Sequence, residues 1–241
     1  DYYQVDIANV SDVPVYFTQS ETGAYDGQSW WCADPSVGGY LDAWVQVLQS
    51  PTMTVPAGGN LSAMMQWGIE DPNGAAVGGT CTDGWDAANV RISNDGGATW
   101  SLLNGDDPYD FNYGYGWIYN ESEYDCGGSL EQVAAGWGGQ ADWHEVNFDL
   151  SAYEGQDVIV QFAFGSDPSY STPDDATITG FKIDNIQVTD GSGNVVFNDN
   201  ADDEVNMVPM SGLEFVWEQY FYDYGDATRP GSLGLSLIHI S

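Results

Sequence analysis

Of 241 residues, 37 are Asp or Glu and only 3 are Lys or Arg, so the side chains able to do chemistry are overwhelmingly carboxylates. Carboxylates suit calcium, a hard cation that gathers several oxygens at about 2.3–2.6 Å, usually from loops and strand ends. Glu70, Asp83 and Asp86 flank one glycine-rich loop, and Asp184 interrupts an otherwise apolar run. A carboxylate buried there without a partner is costly, so a cation is a natural compensator. These four residues are the expected calcium ligands, with a hydrogen-bonded Asp184 as the plainer alternative.

Catalytic arrangements fare worse. A zinc peptidase needs two imidazoles one helical turn apart with a carboxylate between them. His144-Glu145 has no second His at that spacing, and no G-x-S-x-G elbow accompanies it. His144 therefore reads as a packed strand residue. Glu121-Ser122-Glu123-Tyr124-Asp125 is the densest acidic pair set, yet it lacks the E-x-D-x-x-E spacing of jelly-roll glucanases. The glycine clusters are followed by neither Lys nor a helix, so no phosphate loop is read. No catalytic residue is assigned.

The elements that must position these groups read as strands. Leu61, Ala63, Met65, Trp67 and Ile69 alternate onto one face, as do His144, Val146, Phe148 and Leu150. Val158–Phe164 is apolar enough to lie centrally. In Ile178–Val188, strict alternation puts Phe181, Ile183 and Asn185 on one face and Lys182, Asp184, Ile186 and Val188 on the other. Val90–Trp100 reads as a hairpin turning at Asp95-Gly96-Gly97, where an Asp can accept backbone N–H groups and glycines can take positive φ. Tyr113, Tyr115, Trp117 and Tyr119 recur with period two, as one face of a strand would. The aromatic loop they belong to reads first as a lid over the sandwich edge and second as an exposed contact surface. Trp30-Trp31 likewise reads first as a packing cluster at the sandwich mouth and second as a sugar-stacking platform.

Ser93-x-Asp95-x-Gly97-x-Thr99-Trp100 resembles an Asp-box hairpin, present here as a single copy and so without the repeats a propeller needs. A longer series covers more of the chain: Ser29-Trp30-Trp31-Cys32, Gly39-Tyr40, Leu48-Gln49-Ser50-Pro51, the hairpin, Trp143 with Val146–Val158, and Gly180–Val188. From about residue 29 to 197 this order is similar to the MAM-like jelly-roll domain, which accompanies secreted peptidases of the immune-inhibitor-A type and many bacterial surface proteins. The resemblance implies an all-β, antiparallel β-sandwich of jelly-roll, concanavalin-like form. It also implies a non-catalytic extracellular module, with any catalytic unit outside these residues, serving adhesion, substrate positioning or spacing beside neighbouring domains of the same polypeptide. The expected partner is a carbohydrate or protein at the cell surface. The alternatives are a carbohydrate-binding module stacking sugars on Trp30, Trp31, Tyr113, Tyr115 and Trp117, and a jelly-roll glycoside hydrolase. The expected organisation is N-terminal strands and loop over 1–28, the jelly roll over 29–200, and a C-terminal extension or start of a next module over 201–234.

A formal charge of −34 would repel phosphate backbones, which excludes nucleic acid as a partner. Salt screening in a saline habitat, or divalent cations on carboxylate clusters, would relieve that charge. Aromatics at 14% and 30 glycines favour short strands and turns. The three cysteines, Cys32, Cys81 and Cys126, form no C-x-x-C pair, so one disulfide in an oxidising compartment is expected. Cys81 with Cys126 is preferred because both flank the hairpin region, and Cys32 remains open as a partner. No apolar run of membrane-spanning length and no signal peptide is present, and the start at Asp1 reads as an internal or mature fragment. Leu235-Ser236-Leu237-Ile238-His239-Ile240-Ser241 resembles a reading frame of the transposon end used to tag sequencing libraries, and is set aside from fold reasoning.

Overall fold

A computed structural model describes residues 15–119 and 133–211. The readings made at Tyr3–Ile7, Glu121–Asp125, Cys126, Phe215–Trp217 and residues 235–241 lie outside the described residues. The described chain forms β1 (Phe17–Ser20), β2 (Ser29–Cys32), β3 (Val45–Gln49), β4 (Met53–Thr54), β5 (Asn60–Gly68), β6 (Ala87–Ser93) and β7 (Ser101–Leu102). After a helical turn, α1 (Tyr115–Ile118), come β8 (Gln140–Asp149), β9 (Asp157–Gly165), β10 (Gly180–Thr189), β11 (Val195–Asp199) and β12 (Val208–Ser211).

These strands make two antiparallel sheets. The first runs β1-β2-β10-β5-β8, with β11 also paired to β10; the second runs β12-β3-β9-β6-β7, with β4 on β9. The all-β antiparallel sandwich that the resemblance implies is thus the fold. β12 falls where a C-terminal extension was expected, and it supplies an edge of the second sheet through Val208↔Gln49 to Ser211↔Gln46.

The core lies where the alternation places it. Leu61, Ala63, Met65 and Trp67 from β5 and Val146 and Phe148 from β8 face Leu48, Val90, Ile92, Val160, Phe162 and Phe164 of the opposite sheet, all in one buried cluster. A second, smaller cluster covers the outer face of the second sheet, where Val45, Val47, Ala87 and Ala163 pack under Phe111, Trp117, Ile118 and Ala134. The aromatic loop is therefore a lid, lying on a sheet face.

Two local readings are corrected. Tyr115–Ile118 is helical, with Ile118 N–H donating to Gly114 O and Tyr119 N–H to Tyr115 O. Period-two aromatics suggested a strand, but Gly116 lies so close to the backbone of Gly165 that a Cβ there would sit 2.4 Å from its carbonyl oxygen. This close seat lets the helical turn bury Trp117 and Ile118 together. In β10, Asn185 takes φ 46° and the register with β5 shifts between Asp184 and Gln187. The bulge flips side-chain parity, so Ile186 and Val188 join Phe181 and Ile183 in the core, away from the face carrying Lys182 and Asp184. Asn is among the few residues that tolerate this left-handed conformation.

The hairpin turn forms with the chemistry that Asp95-Gly96-Gly97 predicts. Asp95 accepts Thr99 N–H at 2.9 Å, Thr99 Oγ1–H at 2.6 Å and Ser93 Oγ–H at 2.7 Å, and Gly96 and Gly97 have φ 79° and 94°. Cys81 is disulfide-bonded and Cys32 is a free, buried thiol. No helix of the described residues is long and apolar enough to cross a membrane.

Candidate metal centre

At one end of the sandwich three strand exits converge. Glu70 lies just beyond β5 of the first sheet, Asp86 directly before β6, and Asp167 two residues after β9. Because β6 and β9 are antiparallel neighbours with Ala87 opposite Gly165, Asp86 and Asp167 meet at the same edge. Glu70 reaches them from the other layer. One carboxylate oxygen of each lies within 4.8 Å of the others.

The surrounding hydrogen bonds fix two of the carboxylates. Tyr40 Oη donates to Asp86 Oδ2 at 2.5 Å and accepts Glu70 N–H at 3.1 Å, while Asp167 N–H donates to Asp86 Oδ1 at 2.7 Å. The Tyr40 ring packs edge-on against Phe164, with centroids 4.7 Å apart. Asp167 Oδ1 accepts Ser169 N–H at 2.9 Å, and its carbonyl accepts Ala43 N–H at 2.7 Å. Glu70 Oε2 is buried with no hydrogen-bond partner.

Three carboxylates held together out of water cannot all be ionised cheaply. Burial, then the nearby Asp167, Asp42 and Asp71, pushes Glu70 up to about 8. Asp167 is raised to about 6 by burial and Asp42, against the lowering effect of Ser169 N–H. Burial and Asp167 push Asp86 well above the ordinary value of an aspartate. A cation would reverse this penalty by neutralising the charges and engaging the orphaned Glu70 oxygen. All the donors are hard oxygens, the set calcium takes and a soft thiophilic metal does not. Glu70 also lines a cleft of about 420 Å³ with Ile69, Asp71, Tyr170, Asp175 and Ile178, so the cluster opens to solvent on its side.

Of the four ligands expected from sequence, Glu70 and Asp86 come together and the other two lie elsewhere. Asp83 spends its carboxylate on Asn112 N–H and Tyr113 N–H, at 3.1 Å and 2.6 Å, tying down the lid. Asp184 accepts Ser29 Oγ–H at 2.8 Å, Asn185 N–H at 2.7 Å and Asp26 N–H at 3.3 Å, the hydrogen-bonded alternative. Asp167 takes the third place. Its only sequence signal is position, the first carboxylate past the apolar strand Val158–Phe164, and sheet order alone makes that the neighbour of Asp86.

The aromatic platform is corrected too. Trp30, Trp31 and Trp117 are buried, and buried indoles offer no face to a sugar. Trp30 Nε1–H donates to Asp199 at 2.8 Å, and Trp31 Nε1–H to Thr179 O at 2.7 Å. Trp117 lies under the Arg91 guanidinium, 3.9 Å from ring centre. Tyr113 and Tyr115 are half-buried members of the lid. His144 is a strand residue engaged at both nitrogens, with Asp107 at 2.9 Å and the Asp142 carbonyl at 2.8 Å. No family model matches this chain, and no curated protein matches it.

Proposed function

We propose that the chain is a non-catalytic, calcium-supported β-sandwich module of a secreted or cell-surface protein, of the MAM-like jelly-roll kind, serving adhesion or partner binding beside neighbouring domains. The observation that carries the calcium reading is the Glu70–Asp86–Asp167 triad with its orphaned Glu70 oxygen, drawn from both sheets. A cation there would clip the layers together at one end, a structural role. The series of motifs from Ser29 to Phe197 supports the MAM-like assignment, and the disulfide at Cys81 agrees with an oxidising compartment.

The burial of Asp86 at 1% and Asp167 at 5% weighs against a glycosidase, whose acid and nucleophile must both face substrate. Calorimetric titration with CaCl₂ and thermal melts in calcium and in EDTA test the reading. Saturating calcium is expected to raise the melting temperature by about 5–10 °C. Asp86→Asn and Asp167→Asn should each abolish that rise. An identical melt in calcium and EDTA would remove the site.

A further inference from the structure

The β1–β2 connection does not project into solvent. It folds across the outer face of the first sheet and is pinned there from below. Lys182 Nζ donates to Thr22 O at 2.7 Å and Gly23 O at 3.3 Å, and Trp143 Nε1–H donates to Gly23 O at 3.2 Å. Asp184 accepts Asp26 N–H, and Ser29 Oγ accepts Tyr25 N–H at 3.0 Å. Lys182 and Asp184, two charged groups of a central strand, are thus spent on holding one surface loop.

What the loop presents is Tyr25, 48% exposed, against the half-buried Trp143 of β8, with ring centroids 5.6 Å apart and planes tilted by 57°. Exposed carboxylates border the pair: Asp26 follows Tyr25 in the loop, and Glu145 lies two residues along β8 from Trp143. Arg91 and Lys182, the Lys and Arg among the described residues, are both buried, and the Lys182 ammonium is engaged beneath the loop by the Thr22 and Gly23 carbonyls.

We infer that the Tyr25–Trp143 pair is a docking surface for an arginine side chain on a basic segment of a protein partner. Ring faces attract cations, and a planar guanidinium can stack on an aromatic ring while giving paired N–H donors to a carboxylate, which a lysine ammonium does less well. Charge complementarity selects this occupant: the surface offers ring faces and carboxylate acceptors, on a chain of net charge −34. The fold already uses the same pairing inside, where Arg91 lies over Trp117. A loop fastened in advance has little ordering entropy left to lose on binding. The inference rests on the binding-module reading and names the partner's chemistry.

The test is a titration of the full chain, in calcium and at physiological salt, with a Gly-Arg-Gly-Arg-Gly peptide, its citrulline counterpart and cellohexaose. The arginine peptide should bind and quench tryptophan fluorescence, and the citrulline peptide and the glycan should not. Tyr25→Ala leaves the charge unchanged, so its expected loss of about fivefold or more in affinity separates ring contact from diffuse attraction. Tyr25→Phe should keep most of the affinity, and Val196→Ala, at an exposed apolar side chain on β11, should keep all of it. Equal binding by wild type and Tyr25→Ala would overturn the inference, as would saturation by cellohexaose or by the citrulline peptide. A chain that binds calcium but no arginine peptide loses this surface alone; one that fails to bind calcium loses the metal reading instead.

Discussion

At the scale of single residues, the acidic triad couples protons to stability in a direction opposite to most carboxylates. Glu70 moves from the ordinary 4.5 to about 8 in the folded chain, and Asp167 from 3.8 to about 6. Without metal the folded state therefore holds more protons than the unfolded one, and stability falls as pH rises through that window. Melts in EDTA should drop steadily between about pH 4.5 and pH 8 and level off above it. Calcium should flatten the slope, because the cation takes the place of the protons. Asp95 behaves in the ordinary way. Its hydrogen bonds from Thr99 and Ser93 lower it to about 2, so its contribution is present above 3.8 and is lost as pH falls through 2.

Among elements, the lid depends most on a few side chains. Trp117 is 2% exposed, packs in the outer cluster and supports the Arg91 guanidinium, whose Nη2–H donates to Val133 O at 3.0 Å. Burial lowers that guanidinium to about 9, and the Trp117 ring face beneath it is a contact that stripping the ring away would also lose. Trp117→Ala should lose roughly 3–5 kcal/mol in denaturant melts. The strands were legible because β5 and β8 alternate cleanly and β9 is continuously apolar. β10 was only half legible: a bulge at Asn185 moves Ile186 and Val188 to the other face, and nothing local announces it. The 115–118 turn was misread because aromatic spacing looked extended while the decisive contact, Gly116 on Gly165, is long-range. The triad was two-thirds legible for the same reason. Glu70 and Asp86 stand near one another in the chain, but Asp167 joins them only through the β6–β9 pairing.

For the whole molecule, the distribution of charge matters more than its sum. Lys182 meets loop carbonyls and lies 5.2 Å from the Trp31 ring centre, while Arg91 meets Asn89, Val133 and Trp117. Neither is spent on an acidic surface side chain, so among the described residues the carboxylates outside repel one another and are screened by salt. Melting temperature should climb as NaCl is raised from about 0.1 M to 1 M, and a flat response would refute surface self-repulsion as a cost to folding. Cys32 offers a second way to follow this. Its thiol has 0% exposure, is flanked across the sheet by Phe17 and Phe181, and is pushed well above its ordinary pKa by burial. An alkylating reagent can reach that sulfur only when the first sheet parts, so the rate of labelling works as a clock for opening, and added salt should slow it.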